Sequence, residues 1–538
     1  MENNKQEERE GWLPTKDGAK IVSEVHTTRR TYGSAAEITN SYFDIAFTPT
    51  EEVTHKTVWP QVLACISAAS FHFPIGIIVG FSAIMIPQLR ASDSEIFVDK
   101  DDETWIASLV VLVVPMIAPL TGYLVDKIGR LNVVKLSSVP YLIGWLLIAI
   151  SWNLPMILVG RFLTGFALAM GTSPAVVYIT EVARPDLRGA LICMGPSMTS
   201  LGMVVVYTKG AFLHWRTIAW MAMGYCLFPL LFMTLWSPES PVWLISKGKT
   251  QRALKSLTYL ARNEKQAGVP ERQLADLLRE HNAAPPQVIE NSFSRLFHAF
   301  LKPTGFKPLF LLLSLFFFQN FTGVYITIFY AVSFFQDVGS NLNAYTSTVL
   351  IGIVRMVVGL LTSYLLRQFG RRPLYMISGT GMAIAMGISG YFTREIVLGR
   401  MESNFIPVIC VLIYMSLSVT GLMSIPWTMT AELYPIEIRG MAQGLTVSLA
   451  HVIMFSALKS YHFMIEGLGG MYAVQWMFAG ISITSVIFVF IFLPETHKRL
   501  LADIQEYFVH NTVYLLSKDK KPVPTIIPMT GSLTSKPV

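Results

Sequence analysis

Long stretches of the sequence run for 20 residues or more without a single Asp, Glu, Lys or Arg, among them Trp105–Val125, Gly189–Thr208, Thr217–Pro238, Pro308–Gln336, Pro373–Thr393 and Met471–Pro494. A helix needs about 20 apolar residues to cross the hydrocarbon core of a bilayer, so each run is long enough to span. Only 14% of the 538 residues are charged, whereas soluble domains carry about 25%. The chain has too few charges to cover a water-facing surface, which excludes a large soluble protein. Reading every apolar run gives twelve spans, at about 60–87, 104–125, 133–151, 155–180, 189–210, 216–237, 308–334, 345–366, 373–393, 405–431, 440–464 and 471–493. A polar stretch divides them six and six. The expected fold is an all-α membrane protein of twelve transmembrane helices in two six-helix halves. Its parts are an N-terminal tail (1–57), a first half (58–238), a linker (239–307), a second half (308–494) and a C-terminal tail (495–538). Patterns at Gln251–Arg262 and Glu271–Arg279 make the linker helical, and the polar residues after about 509 read as a disordered tail.

Lys and Arg set the expected orientation. With the N-terminus in the cytoplasm, the short inner loops carry nine basic residues against six in the outer loops, and the linker adds more to the inner side. The positive-inside rule then places both termini in the cytoplasm, and the plasma membrane is the expected location. The net charge of +7 fits such loops and anionic lipid rather than nucleic acid, since no basic stripe with interleaved aromatics is present. Cys65, Cys193, Cys226 and Cys410 all fall in apolar runs without CxxC or His/Cys spacing, so no disulfide, metal or other cofactor is expected. Residues 1–57 lack the basic start and apolar core of a signal peptide.

The chain repeats itself. Gly122-Tyr-Leu-Val-Asp126-Lys-Ile-Gly129-Arg130 is echoed 241 residues later by Ser363-Tyr-Leu-Leu-Arg-Gln-Phe-Gly370-Arg371. Glu181-x6-Arg188-Gly189 is echoed by Glu432-x6-Arg439-Gly440, and Pro238-Glu239-Ser240 by Pro494-Glu495-Thr496. Two halves related by parallel duplication are a transporter architecture, with solute held at mid-membrane between them. Asp126, Arg130, Glu181, Arg188, Arg371, Arg372, Glu432 and Arg439 therefore form a candidate cytoplasmic gate network, in which salt bridges between opposite halves latch that side shut. Helix caps and topology signals are the simpler reading of the same charges.

These motifs resemble the sugar porter family of the major facilitator superfamily. The family's G-x-x-x-D-x-x-G-R-[RK] appears at Gly122 to Leu131, with Leu131 in place of the last basic residue; its P-E-S-P-R-W-L appears at Pro238 to Leu244, with Val242 for Arg. Its G-R-R-P-L, preceded by an Arg, corresponds to Arg367 to Leu374, and the likeness covers roughly 60–508. Within the family the chain most resembles the insect facilitated trehalose and hexose transporter-like branch. The resemblance implies passage of a small neutral sugar by facilitated diffusion, without enzymatic chemistry, with sugar and bilayer as partners and no obligate protein partner.

Sugar recognition needs neutral hydrogen-bonding groups and aromatic faces. Helix 7 offers Gln319, Asn320, Tyr325, Phe329 and Tyr330, and helix 10 offers Trp427 after Pro426. Uncharged amides in a span serve either a solute or helix-to-helix bonding. The family's helix-5 Gln aligns with Pro196 and its helix-11 Asn region reads Leu449-Ala450-His451, so hexose specificity does not carry over. The family's helix-1 acid falls at Ser82, and helix 1 has no Asp or Glu, so a uniporter is expected; His72 is placed near the cytoplasmic start of that helix. Arg355 in helix 8 pairs across the bundle, snorkels, serves an inner gate or contacts an anionic solute. A transport-inactive nutrient sensor and a carrier of a non-sugar solute are the competing readings.

Overall fold

A computed structural model describes residues 55–516 except 93, 263–267, 284–297, 299, 436, 437, 498 and 500. The expected N-terminal tail and the residues beyond 516 lie outside the described residues.

The first half contains α1 (Trp59–Arg90), α2 (Lys100–Ile128), α3 (Arg130–Ala149), α4 (Leu154–Val182), α5 (Leu187–Gly210) and α6 (Trp215–Trp236). In the second half α7 is broken into Pro303–Phe321, Val324–Phe329 and Ala331–Val338. It is followed by α8 (Ala344–Gln368), α9 (Arg371–Val397), α10 (Ile406–Glu432), α11 (Arg439–Lys459) and α12 (Met471–Phe492). Ten of these are long and apolar enough to cross a membrane by composition alone. The other two are α7, which is fragmented, and α9, whose charge-free middle is diluted by Gly, Ser and Thr residues. Between the halves lie the short helices Pro241–Ser246, Thr250–Leu260 and Val269–Ala283.

The ends of the spans are set by local chemistry. Asp99 and Asp102 form a reciprocal capping box that starts α2, and Asn153 and Asn343 cap α4 and α8 through side-chain oxygens. Such caps satisfy amides that have no partner inside the helix. Beyond α12 the chain stays ordered longer than its polar composition suggests. A helix runs over Leu501–His510 and a turn over Tyr514–Leu516, while Lys307 Nζ donates to the carbonyls of Phe508 and Asn511, both at 2.9 Å.

Within each half the same neighbours pack. α1 lies on α5, and α2 and α3 on α4; in the second half α9 lies on α12 and α10. Small residues allow this closeness: a Cβ at Gly76 would lie 2.0 Å from the Thr199 carbonyl oxygen, and one at Gly202 2.1 Å from that of Phe73. In lipid, where burial of apolar surface gives no drive between helices, such backbone approach and van der Waals contact supply the packing. The halves meet along α2–α11 and α5–α8, with α1 against the middle of α7. The two long seams are equivalent under the duplication, because α2 corresponds to α8 and α5 to α11.

α7 breaks first at Gly323, whose φ of 88° is left-handed, and a Cβ there would lie 2.3 Å from the Phe478 ring. Gly339, at the end of α7, has a similar φ of 73°, but its Cβ would meet only Ile396 at 3.4 Å. Backbone strain acts at both positions and steric clash only at the first. Gly323→Ala is therefore expected to cost about 3 kcal/mol and Gly339→Ala about 1–2 kcal/mol, checked by thermal unfolding of the two purified variants. Equal losses would show that the Phe478 contact does not fix the break.

Candidate functional site between the two halves

The break in α7 faces a second break in α10, which consists of Ile406–Thr420 and Ile425–Glu432. Backbone groups freed inside a membrane must find partners in the protein. Gln319 Nε2 donates to the carbonyls of Leu422 at 3.2 Å and Met423 at 2.7 Å. Ser378 of α9 accepts from the Leu422 amide at 3.0 Å and donates to the Leu417 carbonyl at 2.6 Å. The Tyr414 hydroxyl donates to the Thr322 carbonyl at 2.7 Å. Gln319 and Tyr414 thus stitch the two interruptions together, and Ser378 ties the α10 break to α9.

Beside them, Tyr325, Trp427, His451 and Arg355 are all half-buried. The Trp427 ring meets Phe316 edge-to-face at 4.9 Å and His451 at 5.7 Å. The Tyr325 hydroxyl interacts with Trp427 and lies in the field of Arg355. Tyr207 of α5 crosses the interface to donate to the Ile328 carbonyl at 3.0 Å.

The structure separates the six solute-site residues expected from the sequence. Tyr325 and Trp427 are accessible, whereas Gln319, Asn320 and Tyr330 are fully buried and Phe329 is 2% exposed. Gln319 Oε1 and Asn320 Oδ1 are buried without partners, and Asn320 Nδ2 turns back to the Phe316 carbonyl at 2.7 Å. Tyr330 donates to the Leu458 carbonyl at 3.1 Å and stacks on Tyr461 at 4.5 Å. His72 is not near an end of α1. It starts the second piece of that helix, His72–Arg90, buried against Gly195.

Sequence reasoning missed Arg161 in α4. It is completely buried and donates to the Ile106 and Ile78 carbonyls at 3.0 Å each and to Ser82 Oγ at 2.7 Å. It joins α4 to α1 and α2 without a carboxylate. A lone arginine inside an otherwise apolar run was the available signal.

The repeated charges lie at the end of the bundle that carries the linker. Arg130 binds Glu181 at 2.9 Å, and Arg371 binds Glu432 at 2.8 Å. Ser240 donates to Glu181, as Thr496 does to Glu432. Glu239 accepts from the amides of Leu131 and Asn132, and Glu495 from those of Arg371 and Arg372, so each caps the helix that follows a Gly-Arg turn. Arg188 and Arg439 reach back to the carbonyls of Ala183 and Tyr434. Asp126 is 77% exposed, 3.7 Å from Arg130. Arg372 reaches the Phe490 carbonyl of α12. Every one of these ties stays within its own half, in contrast to the expected latch between halves. Each motif is close in sequence and space to the helix end it caps. The P-E-[ST] pairs were visible as repeats, but their capping role needed the fold.

At the far end the halves are tied to one another. Lys459 binds Asp101 at 2.5 Å, Lys100 binds Glu466 at 2.6 Å and His462 meets Glu103 at 2.9 Å. Glu103 is 3% exposed and also grips Arg90 through both carboxylate oxygens.

The description of the sugar (and other) transporter family matches residues 61–508. The chain belongs to this family. It is a multi-pass membrane protein with the major facilitator fold. It is 30% identical over 460 residues to the facilitated trehalose transporter Tret1-2 homolog of Drosophila sechellia, covering 85% of this chain and 92% of that one. It is likewise 30% identical over 451 residues to the facilitated trehalose transporter Tret1 of Drosophila mojavensis, covering 83% of this chain. The chain spans about half the length (51%) of that relative. Among solved structures it is similar to the inward open conformation of the xylose transporter XylE from E. coli, with a TM-score of 0.64 and 18% identity over 83% of this chain and 98% of that one. The same bacterial fold was also solved as a proton:xylose symporter bound to 6-bromo-6-deoxy-D-glucose, at a TM-score of 0.61 and 19% identity over 84% and 99% of the two chains.

In this member of the family Glu103 is the hub of the far-end closure. Removing a partner from a buried pair costs about 3–5 kcal/mol, and a cost of that size shifts a two-state balance strongly. Glu103→Gln is expected to open the far end. A cysteine placed at Tyr325, in a background lacking the native cysteines, should then react about tenfold faster or more with an impermeant thiol reagent applied from that side. An unchanged rate would show that the ion pairs do not hold the closure.

Proposed function

We propose that the chain carries a sugar across the membrane by alternating access, as a uniporter, with solute held at mid-depth against Tyr325 and Trp427. The observation that carries this reading is the facing pair of helix breaks in α7 and α10. Broken spans are stable only where they are buried in protein or line a solute cavity. An indole and a phenol beside the breaks offer a stacking face and a hydroxyl partner. The unpartnered carbonyl oxygens of Gln319 and Asn320 are acceptors for solute hydroxyls once the halves rearrange. The names of the relatives, facilitated trehalose transporters, fit this solute class. Both termini and the linker are assigned to the cytoplasm on the Lys/Arg bias, and the protein to the plasma membrane. The five-part division of the chain at 57, 238, 307 and 494 belongs to the same reading.

The ties at the two ends supply the switch. Two ion pairs and the His462–Glu103 contact join the halves at the outer end, while the charged clusters at the inner end close on their own halves. In the outward-facing state the inner clusters of Arg130, Glu181, Arg371 and Glu432 meet across the interface and the outer pairs part. Two discrete packings with exchanged ion pairs make a bistable element.

Proton coupling is not part of the reading. Arg161 is held by a hydroxyl and two carbonyls, none of which changes charge, so a proton gradient has no difference in affinity to act on there. In proteoliposomes trehalose or a hexose is expected to equilibrate without exceeding its outside concentration. Accumulation driven by an imposed proton gradient and abolished by an uncoupler would overturn the uniporter.

Trp427→Ala and Gln319→Leu are each expected to weaken binding by about 1–3 kcal/mol, the first by removing the stacking face and the second by freeing the α10 carbonyls and deleting an acceptor. Equilibrium binding to the purified, folded variants checks this. Unchanged affinity in both would place the solute elsewhere.

A further inference from the structure

We propose that the sugar carried by this chain bears one negative charge, a carboxylate, and that Arg355 pairs with it at mid-membrane. The inference rests on the sugar-carrier reading above and replaces the neutral solute with a sugar acid.

Arg355 is the twelfth residue of the 25-residue helix α8. At 1.5 Å per residue its Cα lies about 16 Å from one end of the helix and about 20 Å from the other. An arginine stem reaches only about 6 Å, so the guanidinium does not snorkel to either surface. Its direction is settled by the helical period. The exposed residues Ile353, Val357, Leu360, Leu361 and Tyr364 share one face of α8, whereas Ser347, Thr348, Ile351 and Thr362 share the buried one. At 100° per residue Arg355 falls in the middle of the buried face. There it lies in the field of Tyr325 of α7 and Tyr207 of α5, and Tyr325 in turn meets the half-buried Trp427.

The cation has no counter-charge. Among the described residues Arg355 makes no ion pair or hydrogen bond, and its Nη1 is buried without a partner. Arg161, buried within α4, shows what a structural arginine does: Nε, Nη1 and Nη2 are each spent on a neighbour. Among the described residues no acid is paired with Arg355. α1 and α8 contain none. Asp337 is at the far end of α7, bonded by Tyr461, and Glu432 at the linker end of α10 is held by Arg371 and Thr496. Charged residues within spans are costly and mark solute pathways unless paired.

A planar guanidinium with free donors matches a carboxylate bidentately. One cation neutralises one charge. A monoanionic sugar acid makes the loaded site neutral, whereas a dianionic phosphate ester would leave a net charge in the bilayer. The remaining surroundings, two phenols, an indole and an imidazole, suit the hydroxyls and the apolar face of a sugar ring.

The test is competition binding to the purified full-length protein with three probes: D-glucuronate, D-glucose and L-lactate. Glucuronate is expected to bind about tenfold or more tighter than glucose, and lactate, which has the carboxylate without the ring, much more weakly than glucuronate. Arg355→Gln should weaken glucuronate by about 30-fold or more and leave glucose within about threefold, with Arg355→Lys between. If Arg355→Gln does not fold, the comparison of probes on the parent protein still decides. Glucose equal to or tighter than glucuronate overturns the charge while leaving the sugar carrier intact. Lactate equal to glucuronate, with glucose inert, overturns the sugar reading and this proposal together. Glucuronate affinity unchanged in Arg355→Gln overturns the role of the arginine.

Discussion

Gln319 donates to the two carbonyls exposed where α10 breaks, and the arrangement of the second half follows from that bond. A bilayer interior offers no water to an unpaired amide or carbonyl. An interrupted span therefore persists only with a side chain committed to it. Ser378 and Tyr414 complete the set. With both breaks satisfied, the short segment Val324–Phe329 presents Tyr325 towards Trp427 instead of continuing a packed helix. The polar atoms left over, Gln319 Oε1 and Asn320 Oδ1, are the cost of that geometry and the opportunity for a solute.

The duplication is more than a sequence echo. Five separate interactions recur with equivalent residues: Arg130–Glu181 with Arg371–Glu432, the hydroxyls of Ser240 and Thr496, the caps from Glu239 and Glu495, the carbonyl contacts of Arg130 and Arg371, and those of Arg188 and Arg439. Each cluster rigidifies one half, which makes the half a body able to move as a unit. Movement then concentrates at the seams, where the polar ties include ion pairs at the far end and the Tyr207–Ile328 bond. The central residues sit between those bodies, so any rigid-body rocking changes which side they face.

Much of this was legible in the sequence, for identifiable reasons. Apolar run length gives the spans, because membrane thickness fixes helix length. The offsets between Gly-Arg turns give the two halves. The interruptions were not legible: Gly323, Tyr330 and Gly421 are small or apolar enough to sit inside a hydrophobic run, and hydropathy does not register backbone direction. The amides of α7 were recognised as significant, but only the fold shows that the Gln319 amide serves α10. Arg355 was noticed as unusual with several readings open. Its lack of a partner and its position on the buried face of α8 are properties of three dimensions that no single span reveals.

The account stands on the two halves exchanging which end is closed around a solute at mid-depth. Spin labels report that exchange directly, at the exposed positions Phe97 and Phe463 for the far end and Asn132 and Phe369 for the linker end. Electron–electron distance distributions for both pairs, recorded in proteoliposomes with and without a bound solute, are expected to shift in opposite directions, one end narrowing as the other widens. Distances that stay fixed at both ends, or that lengthen and shorten together, would contradict alternating access in this chain.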